Sequence, residues 1–191
     1  MIAVYKKFFL MLGVTVLLCL SASLVWSETI KDLVKRNGVF YKKFTDLPFN
    51  GKITGEYNGS FKNGLPDGYW VAYHENGQIW YKGNFRSGKK VGSWIRYWDN
   101  GKMENQGDFK NGKKEGFWVE NWVRGQLRTK GDYKNGKKEG RWFQYHNNGR
   151  LSSKGDYKNG KKEGYWVGYD WNGNNQSFRT GNYKNDKRIS D

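Results

Sequence analysis

Side chains able to serve as nucleophile, general base or metal ligand are scarce in this chain: His74 and His146 are its two histidines, and Cys19 is its one cysteine. The histidines stand 72 residues apart, at the same point of an internal repeat. With strands stacked at the usual spacing, they would lie roughly 30 Å from one another along a sheet. They cannot meet over one substrate or one metal ion. Paired acids such as Asp132 and Glu139 recur with each repeat, as a turn-stabilising charge pattern does. The glycine-rich turns join strand-like runs, whereas a phosphate loop opens a helix. This inventory points away from an enzyme and calls for no cofactor and no metal.

The elements that carry these residues are set by the repeat. Segments beginning at Gly59, Gly83, Gly107, Gly131 and Gly155 recur every 24 residues, with a partial copy from Gly181. GDFKNGKKEG at 107–116 becomes GDYKNGKKEG at 131–140, and that string returns unchanged at 155–164. The last full unit carries two extra residues near Asn174. Each unit has two turn signals: Asn-Gly at 63–64, 111–112, 135–136 and 159–160, and Asn-Gly at 76–77, 100–101, 148–149 and 172–173. Asn-Gly between aromatic runs signals a hairpin, because a type I′ turn needs positive φ at both central residues. Runs such as YWVAY (69–73), WIRYW (94–98) and RWFQY (141–145) have the aromatic and β-branched character of strands. The expected fold is all-β: an elongated antiparallel sheet of hairpin repeats, about 10 Å per unit and about 50 Å for five.

Side-chain direction follows from the turns. If Asn76 and Gly77 form a two-residue loop, Trp70 stands opposite Gly83 and shares its face. The same arithmetic sets Trp94, Trp118, Trp142 and Trp166 as structural rings, each over a bare glycine. Phe61, Phe85, Phe109, Tyr133 and Tyr157 join them on this packed face, with Ile79, Met103, Leu127 and Leu151. The opposite face carries Val71, Ile95, Val119, Phe143 and Val167 with Tyr73, Tyr97, Tyr145 and Tyr169. Two ring-bearing faces on one sheet suggest that the second serves a partner.

The chain divides in three. Residues 1–27 have the layout of an export signal, with Lys6 and Lys7, an apolar run from Phe8 to Leu20, then small residues that suit cleavage after Ser23 or Ser27. The lesser alternative is an uncleaved N-terminal membrane anchor. Residues 28–58 read as a short helix or linker and a capping hairpin around Pro48–Gly51. Residues 59–191 are the repeats. Cleavage would remove both of those lysines, Cys19 and no acid, lowering the net charge from +16 to +14. The mature protein would lack cysteine and sit in the periplasm or outside the cell.

Glycine-x-Trp, x-Asn-Gly and KNGKKEG-x-W (110–118, 134–142, 158–166), with the entry segment ending PFNG at 48–51, resemble MORN-type repeat proteins. The similarity extends to the bacterial variant of YwqK-family antitoxin-like proteins and spans about residues 38–189. It implies binding to proteins or to phospholipid membranes, and the antitoxin label implies neutralising a toxin by contact. Export would make that an immunity role outside the inner membrane.

Two sets of candidate contacts result. Tyr73, Tyr97, Trp98, Trp122, Tyr145, Tyr169 and Trp171 are the candidate protein-binding residues, the tryptophans because, like Trp80, they depart from the repeat. Lys113, Lys114, Lys137, Lys138, Lys161 and Lys162 recur at one turn and would form a basic ridge toward an anionic membrane or envelope surface. The same ridge would also keep an exposed sheet edge from pairing. Export argues against a nucleic-acid partner.

Overall fold

The structure, a computed structural model, describes residues 27–190. The export signal expected over 1–27 lies outside the described residues except for Ser27. Thirteen antiparallel strands follow one another in chain order from Gly51–Ile53 to Lys187–Ser190, each hydrogen-bonded to its sequence neighbours. The fold is the all-β hairpin meander that the repeat dictates.

The two turns of each unit differ. At Asn63–Gly64 both residues have positive φ (52° and 71°), and the same holds at 111–112, 135–136 and 159–160. These are the tight loops expected of Asn-Gly. Ser87–Gly88 fills the same place in the second unit. At the other turn the two-residue loop was the wrong expectation. His74 N–H donates to the Gln78 carbonyl and Gly77 N–H to that of His74, which closes a wider loop. There Asn76 is not among the positive-φ residues, and its Oδ1 accepts from the Gln78 N–H at 3.1 Å. Its Nδ2 reaches the Asp99 carbonyl of the next unit at 2.6 Å, a stitch repeated from Asn100 to Val123 and from Asn148 to Trp171.

A bulge follows from the wider loop. Ala72 pairs with Tyr81 but Tyr73 with Ile79, so Trp80 is the extra residue. Ile79, Met103, Leu127 and Leu151 therefore oppose Tyr73, Tyr97, Asn121 and Tyr145 and lie on the outer face, not on the packed face assigned from sequence.

Trp70, Trp94, Trp118, Trp142 and Trp166 are buried, and each backbone pairs with the glycine 13 residues later, as the register arithmetic requires. The ring, however, covers a different glycine. A Cβ added at Gly59 would stand 2.3 Å from Trp70, and those at Gly83, Gly107, Gly131 and Gly155 would strike Trp94, Trp118, Trp142 and Trp166. The cause is a second bulge in each unit, at Gly68, Gly92, Gly116, Gly140 and Gly164, where φ lies between 63° and 82°. Between the pairs Ser60–Asp67 and Asn58–Val71 the first strand has one residue and the second has three. The freed carbonyl of Ser60 accepts the Trp70 indole N–H at 3.1 Å, and the other four indoles repeat this bond at 3.0–3.1 Å. A buried indole N–H is thus satisfied, as burial demands.

Phe61, Trp70, Phe85, Trp94, Phe109, Trp118, Tyr133, Trp142, Tyr157 and Trp166 form one zipper, with centroids 4.9–6.0 Å apart and rings nearly perpendicular. Each edge-to-face pair contributes about 0.5–1.5 kcal/mol beyond area burial. The zipper does the work that aliphatic side chains do in other cores.

The N-terminal end is closed by a separate hairpin, Leu33–Arg36 with Val39–Lys42, turning at Asn37–Gly38 with φ of 49° and 84°. The expected hairpin around Pro48–Gly51 is instead the entry to the first sheet strand. Leu33, Phe49 and Ile53 pack with Phe61 and Trp70, and Phe40 meets Phe61 at 5.0 Å, so the first rings of the zipper are covered.

Candidate binding surfaces

Neighbouring residues on a strand point to opposite faces, and this divides the lysine pairs. Lys113, Lys137 and Lys161 are exposed at the tight-turn edge. Lys114, Lys138 and Lys162 do not share that ridge. Their ammonium groups, with that of Lys90, sit 4.0–4.4 Å from the centroids of Trp118, Trp142, Trp166 and Trp94. Attraction to the ring quadrupole holds a cation there. Burial, joined by neighbouring positive charge, lowers the pKa of Lys90, Lys138 and Lys162. Along the same edge, carboxylates of Asp67, Glu115, Glu139 and Glu163 accept the backbone N–H of Ser87, Asn135, Asn159 and Asn185 in the next unit.

Above the indoles the zipper face is hollowed. Depressions of about 510, 400 and 500 Å³ line up along it. The bulge at the wider turn sends two consecutive residues toward this groove, so Trp80, Glu104, Arg128 and Ser152 join Tyr81, Asn105, Thr129 and Ser153. Arg96 meets Glu104 at 2.8 Å and lies over the Trp80 ring. Glu120 bridges Lys114 at 3.1 Å and Arg128 at 2.7 Å. Burial pushes the Glu120 carboxyl up, but hydrogen bonds and charge from Arg128 and Lys114 more than reverse this, leaving it below its ordinary value. Burial raises the phenols of Tyr81 and Tyr133 to about 12.

The irregular tryptophans have separate fates. Trp122 donates its indole N–H to the Tyr145 carbonyl at 3.2 Å, as His74 and His146 bond the Tyr97 and Tyr169 carbonyls at 3.0 Å. The histidines are thus ladder residues. Trp98 holds the same position with a buried N–H that has no hydrogen-bond partner. Trp171 stacks on His146 at 4.4 Å and is 53% exposed; with Trp122, Tyr145 and Arg179 it lines the 510 Å³ depression.

The outer face has its own pattern. Across the sheet run Val71, Lys82, Ile95, Gln106, Val119, Lys130, Phe143, Lys154 and Val167 in register. Lys82 lies over the Tyr97 ring and Lys130 over that of Tyr145. Tyr73 holds the equivalent position in the first unit, opposite Ile79, and Tyr169 follows Val167 in the last. Beside this row Tyr69, Phe117 and Tyr165 are 54–56% exposed. Sequence reasoning missed these three rings, the outward Lys82, Lys130 and Lys154, and the groove residues Arg96, Glu120, Arg128 and Arg179. Within each unit the groove positions are the ones that change most: Ala72, Arg96, Glu120 and Gln144 are successive occupants of one site.

Tandem hairpins sharing one sheet, each with an indole laid on glycine, define a non-globular hairpin-repeat protein of the binding type. The model of the MORN repeat variant matches residues 66–87, 90–111 and 138–159, and over these segments the chain is built of MORN-type repeats. The matches begin at the same point of the unit. No curated protein matches the chain. MORN repeats are a non-enzymatic repeat family and are generally modules that bind proteins or membrane lipids. Among the described residues no group of three or more His, Cys, Asp and Glu side chains could hold a metal ion.

Proposed function

We propose that the protein is an exported, non-catalytic scaffold that holds a protein partner against its outer face. The observation that carries this reading is the exposure of Tyr69, Phe117 and Tyr165 on a face that the zipper does not need for its core. Tyr73, Tyr97, Tyr145 and Tyr169 border the same surface, with Lys82 and Lys130 supplying charge over two of the rings. Rings with cationic neighbours are common anchors at protein interfaces. Resemblance to antitoxin-like repeats favours an immunity-like use, in which the partner is a toxin met outside the cytoplasm. The test places a photo-crosslinking phenylalanine at positions 69, 117 and 165 in turn, in cells. The expected result is one discrete adduct shared by the three sites and absent from a probe at 113. No adduct, or the same adduct from 113, would overturn the reading.

A second reading has its own observation: Lys113, Lys137 and Lys161 are exposed one unit apart, a spacing suited to an anionic lipid or glycan surface. Co-sedimentation with anionic vesicles should then fall steeply with salt and with replacement of these three lysines. Binding indifferent to both would remove it.

A further inference from the structure

The groove above the indole ladder combines features that no framework role explains. We propose that it binds a linear anionic polysaccharide lying across the strands, one disaccharide for each 24-residue unit. This surface is distinct from the outer face.

Variation within the chain is the first argument. The residues that build the unit recur almost unchanged: the indole, the glycine beneath it, the zipper ring and the lysine above. Those that line the upper groove change in every unit, as Ala72, Arg96, Glu120 and Gln144 do on one row and Trp80, Glu104, Arg128 and Ser152 do at the bulge. A sheet needs neither series for its ladder. A surface that discriminates along a ligand needs both.

Charge is the second. Of the groove's carboxylates, Glu104 is held by Arg96, and Glu120 by Lys114 and Arg128. Among the described residues, Lys90, Lys138 and Lys162 have no carboxylate within salt-bridge distance, and Arg179 adds a further cation at the far depression. The lysines stand one to a unit, so successive ammonium groups are about 10 Å apart. A carboxylate on every second sugar of an extended chain falls in step with that spacing.

The third argument separates a glycan from an acidic peptide. Every strand under the groove is already paired on both sides, so an extended peptide laid across it would find no backbone ladder for its own N–H and C=O groups. Pyranose rings bring hydroxyls, which Asn105, Thr129 and Gln144 can meet, and apolar ring faces suited to the indoles of Trp80 and Trp171. The exposed side of Trp171 offers such a platform.

The test is titration calorimetry of the full described chain with a hyaluronan oligosaccharide four disaccharides long, which has one carboxylate per disaccharide. A chitin oligosaccharide of the same length and polyglutamate serve as comparison ligands. Hyaluronan should bind with an affinity that falls as salt rises. Arg96→Gln, Arg179→Gln and Trp171→Ala should each weaken it about tenfold, the loss expected of one good contact. Tyr165→Ala on the outer face should leave it unchanged, and circular dichroism should show all four variants folded. Equal binding of chitin, tighter binding of polyglutamate, no binding of hyaluronan, or insensitivity to the three groove variants would overturn the proposal. None of these outcomes bears on crosslinking at positions 69, 117 and 165.

Discussion

Gly107→Ala is the sharpest perturbation the packing allows. The new methyl would stand 2.3 Å from Cδ2 and Cε2 of Trp118. Carbon contacts settle near 3.5 Å or beyond, so the indole must retreat by about 1.2 Å or more. That retreat strains the 3.1 Å bond from its N–H to the Asp108 carbonyl and the ring contacts at 5.2 Å to Phe109 and 6.0 Å to Tyr133. Overpacking costs about 1–3 kcal/mol and a weakened buried hydrogen bond about 0.5–1.5, which together give a loss of roughly 2–4 kcal/mol. Urea unfolding followed by fluorescence measures it. Gly116→Ala is the control, because its methyl meets nothing within 4 Å and bears only the positive φ of 66°. The decisive form is the double mutant. In a Trp118→Ala background the clash has no partner, so adding Gly107→Ala should be neutral or slightly stabilising, by about 0.4–1 kcal/mol from the stiffer unfolded chain. Effects that add to within about 0.5 kcal/mol would refute ring-on-glycine packing.

Three further outcomes follow from the structure. Tyr81 and Tyr133 titrate at about 12 in the folded state against 10.0 ordinarily, so their contribution to stability is intact below pH 10 and is lost as pH rises through about 12. Absorbance titration should show two phenols ionising late and together with alkaline unfolding, and ordinary ionisation of both would contradict this. Glu120 carries the opposite linkage: its folded pKa lies below 4.5, so its contribution is present above that value and disappears as pH falls through the lowered one. Wild type should therefore lose more stability on acidification than Glu120→Gln, and identical acid profiles would count against the bridge. Asn135 and Asn148 precede glycines alike but should fail for different reasons. Asn135→Ala should cost about 1 kcal/mol for the left-handed backbone and Asn135→Gly almost nothing. Asn148 bonds the Trp171 carbonyl and its own loop, so Asn148→Ala and Asn148→Gly should both cost about 1–2 kcal/mol. Equal behaviour of the two glycine variants by urea unfolding would show that the turns are of one kind.

Much of the fold was legible because the repeat is strict and strand pairing has period two. The pairing of Trp70 with Gly83 came from counting across a turn. The resting place of the ring did not, because it depends on a bulge at Gly68 that frees the Ser60 carbonyl, and register arithmetic assumes an unbroken ladder. Asn-Gly is written identically at both turns. Only the cross-unit bonds of Asn76 and Asn148 distinguish the wide loop, and those partners lie 23 residues on. The error for Lys114 was avoidable, since it and Lys113 are neighbours on one strand and cannot share an edge. Of the candidate contacts, Trp122 and Trp171 lie where irregularity in the repeat suggested a differentiated surface, whereas Arg96 and Arg128 carry no aromatic signal. What marks them is change at a fixed point of the unit, and its meaning became clear only when the bulge turned both rows toward the groove.

The most direct measurement is hydrogen exchange of the indole N–H protons by NMR, with single Trp→Phe variants to identify each resonance. Trp70, Trp94, Trp118, Trp142 and Trp166 should form a set of five slow protons, each bonded to a carbonyl ten residues earlier, while the exposed Trp171 exchanges freely. Exchange of the five as fast as that of Trp171 would contradict the ring-on-glycine framework on which both proposed binding surfaces rest.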